Sequence, residues 1–366
     1  MDKVGLFYKG QDYLHGTHLA LRWKGMTRFT IPRDVAAQQT CWKIFRPGRA
    51  ELMLRVMARL PRISGAISCV ENENLQLIRK AIGKGAGLSC CRTGAPGPWS
   101  KDTILFLNKN TNEPLYIVKA GAGEAVNTLL QNEANWLRTL RDQPTLVDHI
   151  PDLVVHFSSA HLSFLAETPL LGKLDYRLGE LHVAFLRKLQ RYSHCTMRFE
   201  ESRLYLNLRS RLTDLSSQLS ETWSARLQMG MQRIEQALSG SPILFVAAHN
   251  DFSPWNIRVQ SGVARIFDWE YADYEQLPLF DPLHFALMPM ALRRRPSANM
   301  IQCMKRTLQL SEQWFGKELC RNAHAQALAY LMSVCTLYLW SVRGQYNIHP
   351  LLDCYAAIID HLCLMY

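Results

Sequence analysis

Downstream of Gly83-Lys84-Gly85-Ala86-Gly87, apolar and polar positions fall into short runs that read as strands. Leu88 to Arg92 is the first and Asp102 to Leu107 the second, joined by the turn-rich Thr93-Gly94-Ala95-Pro96-Gly97-Pro98. Asn108 to Pro114 has hairpin-turn composition, and Leu115 to Lys119 returns as a third strand. From Ala125 to Leu140 the apolar positions change to helical spacing through Leu129, Leu130, Ala134, Leu137 and Leu140. Two more strands, Leu153 to Phe157 and Leu162 to Ala166, lead to a short extended connection over residues 167–172. Tyr176 to about Leu238 reads as helical, Ile243 to Ala248 and Val263 to Phe267 as strands, and Pro282 onward as helical again. A mostly β lobe therefore precedes a mostly α lobe, and the fold class is α+β.

Charge divides the chain differently. The 366 residues carry 42 Lys and Arg, 31 Asp and Glu, and a net charge of +11. Residues 1–85 hold 15 of the basic and 6 of the acidic residues, a balance of +9, which leaves +2 for the rest. The sequence thus reads as a basic N-terminal extension over 1–85, an N-lobe over 86–166 and a helical C-lobe over 167–366. Within the extension, Leu52, Met53, Val56, Met57 and Leu60 share a helical face, with Arg55 and Arg59 off it. Such a helix suits an anionic membrane surface, and equally suits packing on the next domain. No recognisable nucleic-acid-binding module accompanies the charge, so nucleic acid is not the expected partner.

With 48% apolar and 20% charged residues, a sizeable core is available and wholesale disorder is excluded. The ten cysteines form no C-x-x-C pair, against a zinc site or a disulfide scaffold, and the N-terminus lacks a secretory apolar region. A cytoplasmic protein is expected, with peripheral contact at the inner membrane surface the variant that the basic extension allows. Asn322 to Val342 has no charged residue and is long enough to span a membrane. Asn322, His324, Gln326, Ser333, Thr336 and Ser341 within it favour a helix buried in a helical lobe.

The chemistry gathers where the strand Ile243 to Ala248 runs into His249-Asn250-Asp251-Phe252-Ser253-Pro254-Trp255-Asn256. The next apolar strand ends in Phe267-Asp268-Trp269-Glu270. Two strands that bring two carboxylates and an amide to one edge suit a hard cation held by oxygen, as magnesium is when it carries substrate phosphates. One carboxylate then remains to accept the proton of an attacking hydroxyl. Singly, each residue has a structural alternative: Asp251 as a cap, Asn256 as a turn former, Asp268 as a strand-end cap.

H-x-D-x-x-x-x-N followed by D-W-E resembles the aminoglycoside phosphotransferase and choline kinase family, which has the protein-kinase-like fold, over residues 86–366. The D-F-x-P-W-N loop is closest in style to kinases associated with bacterial surface polysaccharides. By that resemblance Asp251 is the catalytic base, Asn256 and Asp268 hold magnesium, and His249 braces the loop. Lys119 would meet the ATP phosphates and Glu133 would pair with Lys119. The stretch from Glu167 to Leu170 would be the adenine-receiving hinge, and Asp281 would brace the lobe. Gly94 and Gly97 stand where a phosphate-covering loop would lie, without a G-x-G-x-x-G pattern, and Asn250 stands where the family usually has Gly.

The resemblance implies an ATP- and magnesium-dependent kinase acting on a hydroxyl of a sugar, glycan or amino alcohol. The acids Asp268, Glu270, Asp273 and Glu275 suit a cationic acceptor, the basic extension an acidic one, and Trp255 could stack on a sugar or pack. The rivals are a protein kinase or nucleotidyl transferase on the same fold, and a non-catalytic nucleotide-binding scaffold.

Overall fold

The computed structural model describes residues 6–10, 17–23, 26–45, 67–94, 97, 99–341 and 350–365. The helix expected over Glu51 to Leu60 lies outside these residues, as do Ala95, Pro96 and Pro98. Two compact units divide the chain: Met1–Asp142 with Ile150–Leu171, and Gln143–His149 with Gly172–Tyr366.

The first unit runs β1 (Tyr8–Gly10), β2 (His18–Trp23), β3 (Met26–Pro32), α1 (Val35–Phe45), β4 (Ile67–Glu71) and α2 (Glu73–Ile82). It continues with β5 (Ala86–Arg92), β6 (Asp102–Asn108), β7 (Pro114–Gly121), α3 (Glu124–Arg141), β8 (Leu153–Ser158) and β9 (Ser163–Glu167). Among the described residues these nine strands form one antiparallel sheet in the order β1-β4-β2-β3-β5-β6-β7-β9-β8. The β6–β7 turn follows its side-chain chemistry: Asn108 Oδ1 accepts from the Asn110 and Thr111 amides, and Asn112 takes φ 57°. Period-two alternation sends Ala20, Cys91, Ile104 and Phe106 to a core shared with Leu75 and Ile78 of α2. Leu19, Cys90, Leu105 and Leu107 go to the opposite core, with Cys41 and Trp42 of α1.

The first boundary drawn from sequence, at residue 86, falls inside this sheet. Phe29 and Thr30 of β3 pair with Arg92 and Cys91 of β5, so residues 1–85 supply four strands to the lobe that follows. A polar network explains the attachment. Arg79 forks onto both oxygens of Glu71 at 2.6 and 2.7 Å, and Glu71 also accepts from the Ser89 hydroxyl at 2.7 Å. Tyr8 Oη lies 3.0 Å from Ser89 Oγ, and His18 Nε2 donates to the Ser89 carbonyl at 3.0 Å. Burial lowers the His18 pKa, in keeping with a neutral ring whose Nδ1 accepts from Thr17. Part of the charge of the basic extension is thus engaged inside the fold.

The second unit holds α4 (Glu180–Tyr192), β10 (His194–Met197), α5 (Arg203–Leu215), α6 (Glu221–Leu238), β11 (Ile243–Ala248), β12 (Ile257–Gln260), β13 (Val263–Ile266) and β14 (Asp273–Gln276). Four further helices follow: α7 (Phe280–Leu292), α8 (Ser297–Phe315), α9 (Ala323–Ser341) and α10 (Pro350–Cys363). β10, β11 and β14 form a three-stranded antiparallel sheet, so the helical expectation for 176–238 is interrupted by one strand. Ser261 and Gly262, at φ 51° and 75°, supply the two left-handed residues that a tight β12–β13 turn needs. The charge-free stretch expected as a buried helix is α9, packed in the helical core by Leu328, Leu331, Met332 and Leu339. A Cβ at Gly230 of α6 would lie 2.7 Å from Met332 Sδ, which records how closely α6 approaches α9. No helix among the described residues is long and apolar enough to cross a membrane.

Candidate active site

In the first unit, Lys119 and Ile117 share a face of β7, and Glu167 of β9 sits opposite Ile117. Glu167 therefore reaches the Lys119 ammonium, at 3.6 Å, from the neighbouring strand. Glu133 reaches it from α3, at 2.5 Å, and all three side chains are buried. Two carboxylates around one buried ammonium hold its tip in place, leaving it a point charge able to face phosphate oxygens. Glu167 ends β9 with its carboxylate turned into this cluster.

The two glycines differ. Gly94 donates its N–H to Asp102 Oδ1 at 3.0 Å, and a Cβ there would lie 2.2 Å from the Lys101 carbonyl oxygen. Its lack of a side chain is required by that approach between the arms of the β5–β6 connection. A Cβ at Gly97 would meet none of the described residues, and its carbonyl accepts from Ser100 N at 3.1 Å. Burial raises the Asp102 pKa, and the Gly94 bond opposes the rise.

In the second unit, β11 delivers His249, Asn250 and Asp251 at its C-terminal end. Asp281, at the start of α7, accepts from the backbone N–H of His249 at 2.8 Å and of Asn250 at 2.9 Å. Burial pushes the Asp281 carboxyl up to about 6, against the pull of the two N–H bonds. Asn250 takes φ 63°, which explains how a position that often carries Gly accommodates it, since Asn tolerates the left-handed region. Its amide donates to the Tyr271 carbonyl at 2.9 Å, which turns the side chain away from Asp251.

His249 is fully buried, and burial lowers its pKa to about 4, so it is neutral at pH 7. Its Nε2 lies 3.1 Å from the Phe267 carbonyl, which can only accept, and its Nδ1 accepts from Asp251 N at 3.2 Å. The imidazole thus ties the loop after β11 to the end of β13. Trp269, buried against the His249 ring at 4.7 Å between centroids, donates to the Ile266 carbonyl and anchors D-W-E from below.

Asp251 is held on both oxygens. Oδ1 accepts from Ser253 Oγ and lies 2.9 Å from His284 Nε2, while Oδ2 accepts from Asn256 Nδ2 at 2.8 Å. A quarter of the Asp251 side chain stays accessible. The Asn256 amide nitrogen donates to the Asp251 carbonyl as well, so its oxygen is the atom left for a cation. The Asn256 backbone carbonyl accepts from Phe267 N at 3.1 Å, and Asp268 follows at φ 74°, a left-handed turn out of the strand. One oxygen each of Asp268 and Glu270 lies within 4.8 Å of the other. An amide oxygen and two carboxylates are hard donors of the kind magnesium takes.

The other two acids of the run are spoken for. Arg203 reaches Asp273 at 2.7 Å and Glu275 at 3.1 Å, and its own N–H donates to Glu275. Trp255 is half-buried against the helical core. Sequence reasoning missed His284, which lies one helical turn after Asp281 on the same face of α7.

The family model for the phosphotransferase enzyme family matches residues 91–302. No curated protein matches the sequence. Among solved structures, the chain is similar to a thermostable mutant of aminoglycoside phosphotransferase APH(4)-Ia in complex with ADP and hygromycin B. The likeness runs at 12% identity over 75% of this chain and 93% of that one, with a TM-score of 0.51. The apo form of that mutant gives 13% identity over 75% and 94%, with a TM-score of 0.52. ADP-bound aminoglycoside phosphotransferase APH(2'')-Ib gives 14% over 81% and 99%, with a TM-score of 0.51. At these identities the likeness is one of fold.

Proposed function

The chain belongs to the phosphotransferase enzyme family, and we propose that it transfers the γ-phosphoryl group of ATP to a hydroxyl of a small-molecule acceptor, a sugar or glycan first and an amino alcohol second. The observation that carries this reading is the loop after β11, in which Asn256 donates to Asp251 at 2.8 Å through its amide nitrogen, the group that cannot bind a cation.

In this reading Asp251 accepts the acceptor's hydroxyl proton as the new P–O bond forms. Asn256 and Asp268 hold magnesium, which when bound neutralises charge on the phosphates. Lys119 faces the nucleotide phosphates and is kept in place by Glu133 and Glu167. The backbone after Glu167 receives the adenine, and Gly97 is the glycine open to phosphate. Solved proteins of the same fold that carry ADP, one of them with hygromycin B, support a nucleotide donor and a hydroxyl-rich acceptor. Engagement of Asp273 and Glu275 by Arg203 removes two acids from a cationic acceptor site and favours an uncharged or acidic one. The +9 balance of residues 1–85 extends the reading to contact with an anionic surface, which co-sedimentation with anionic vesicles tests.

The test is magnesium-dependent ATP consumption by the full chain against aminoglycosides, amino alcohols, sugars and surface-glycan fragments. Acceptor-stimulated turnover that disappears in Asp251→Asn is the expected result. Absence of magnesium–ATP binding overturns the reading.

A further inference from the structure

Behind Asp251, on the side away from solvent, lies a chain of buried polar groups that the reaction described above does not use. His284 of α7 is 5% exposed and places Nε2 2.9 Å from Asp251 Oδ1. Its Nδ1 lies 3.4 Å from the Tyr330 hydroxyl of α9, and that hydroxyl lies 2.9 Å from the Tyr355 hydroxyl of α10. Tyr330 and Tyr355 are 1% and 0% exposed, and burial raises both phenols well above their ordinary pKa, so both keep their protons.

We propose that His284 is a positioning residue for Asp251: its Nε2–H holds Oδ1, and with the Asn256 amide on Oδ2 it fixes the carboxylate plane that meets the acceptor hydroxyl. The proposal rests on the reading of Asp251 given above. A carboxylate can only accept, so the imidazole nitrogen facing it must carry the proton. In the neutral tautomer Nδ1 is then an acceptor. The tyrosine pair supplies the matching donor: Tyr355 donates to Tyr330, and Tyr330 donates to Nδ1. Three helices, α7, α9 and α10, are thereby made responsible for the orientation of one side chain on the loop after β11. Ser253 also donates to Oδ1, but it is two residues from Asp251 on the same loop and moves with it. His284 is the donor to Asp251 that comes from a separate helix, and it sets the loop against the core.

Two readouts keep a failure of this proposal apart from a failure of the kinase reading. The first needs no substrate. In the full chain labelled with 15N-histidine, the His284 ring, assigned by its loss in His284→Gln, is expected with the proton on Nε2. A proton on Nδ1 alone overturns the clamp whatever the protein catalyses. The second is magnesium–ATP turnover with water as acceptor, or with any acceptor the panel yields. His284→Ala is expected to lower kcat roughly 10- to 100-fold with KM for ATP held within about 3-fold, because the loss falls on the chemical step. His284→Gln, whose amide N–H can reach Oδ1, is expected to recover most of that loss, and Tyr330→Phe to lie between. A folded His284→Ala with wild-type kcat overturns the proposal, as does a loss confined to KM or a Gln variant no better than Ala. A wild-type chain that does not bind magnesium–ATP defeats the kinase reading, and the ring-proton measurement still decides the clamp.

Discussion

Lys119 and Glu133 meet at 2.5 Å with the lysine 6% and the glutamate 0% exposed, so each charge depends on the other for its solvation. A buried pair of this kind contributes little net stability when intact, yet removal of one partner leaves the other charge in a medium that cannot solvate it. Lys119→Met is therefore expected to destabilise the protein by about 3 kcal/mol and to abolish turnover. The double variant Lys119→Met with Glu133→Leu is expected to regain only part of the stability, because buried Glu167 still lacks its cation, and none of the activity. Urea denaturation together with ATP turnover checks both halves.

Asp251→Asn keeps the size of the side chain and removes its capacity to accept a proton. Its turnover should fall on the order of 100- to 10,000-fold while magnesium–ATP binding, followed by calorimetry, stays within a few-fold of wild type. Retained turnover would remove Asp251 from the role of base.

The loop after β11 should also have a distinctive pH profile of stability. His249 has a folded pKa lowered to about 4 by burial, so its contribution is present above the ordinary imidazole value and is lost as pH falls toward 4. Asp281 has a folded pKa raised to about 6, so its contribution is present below the ordinary carboxylate value and is lost as pH rises through 6. Between pH 4 and 6 the two slopes oppose each other. Replacing His249 with Gln should expose the Asp281 slope: stability should then decline with rising pH across that window by about 3 kcal/mol. Denaturant midpoints measured across that window decide it, and an unchanged flat profile in the variant contradicts the account.

Glu71 gathers Arg79 and Ser89 beneath the sheet. Glu71→Ala should cost about 1–3 kcal/mol, because the buried Ser89 hydroxyl loses its acceptor and the part-buried Arg79 guanidinium keeps only the Ala86 and Gly87 carbonyls. Deleting residues 1–72 should fail to yield a folded remainder. A well-folded truncation with normal melting would mean that β1–β4 are dispensable to β5.

How far these features could be read from sequence varies with the physics behind them. The strands Ile243 to Ala248 and Leu115 to Lys119 were legible because their apolar runs are short, continuous and bounded by turn residues. The loop from His249 to Asn256 was legible because its chemistry demands particular residue types in a particular order. His18, Glu71 and Arg79 were not, because a polar side chain in a linear sequence looks the same whether solvated or locked in a hydrogen-bonded network. β10 escaped for another reason: His194 to Met197 is four residues long, and its pairing with β11 is a long-range event with no local signal. His284 was hidden by its neighbours, since in Phe280-Asp281-Pro282-Leu283-His284-Phe285 an imidazole on an apolar helix reads as filling.

The four added strands also decide where the sheet is open to other molecules. Had the lobe begun at β5, a seven-residue strand carrying Leu88, Cys90 and Cys91 would have been the margin, a ready template for intermolecular pairing. Instead, among the described residues, that margin is β1, three residues long, with Lys9 exposed. Short length and charge are the two devices by which natural sheets discourage growth into aggregates. The basic residues at the front of this chain thus include one that guards its colloidal stability, a service needed from the moment the sheet first closes.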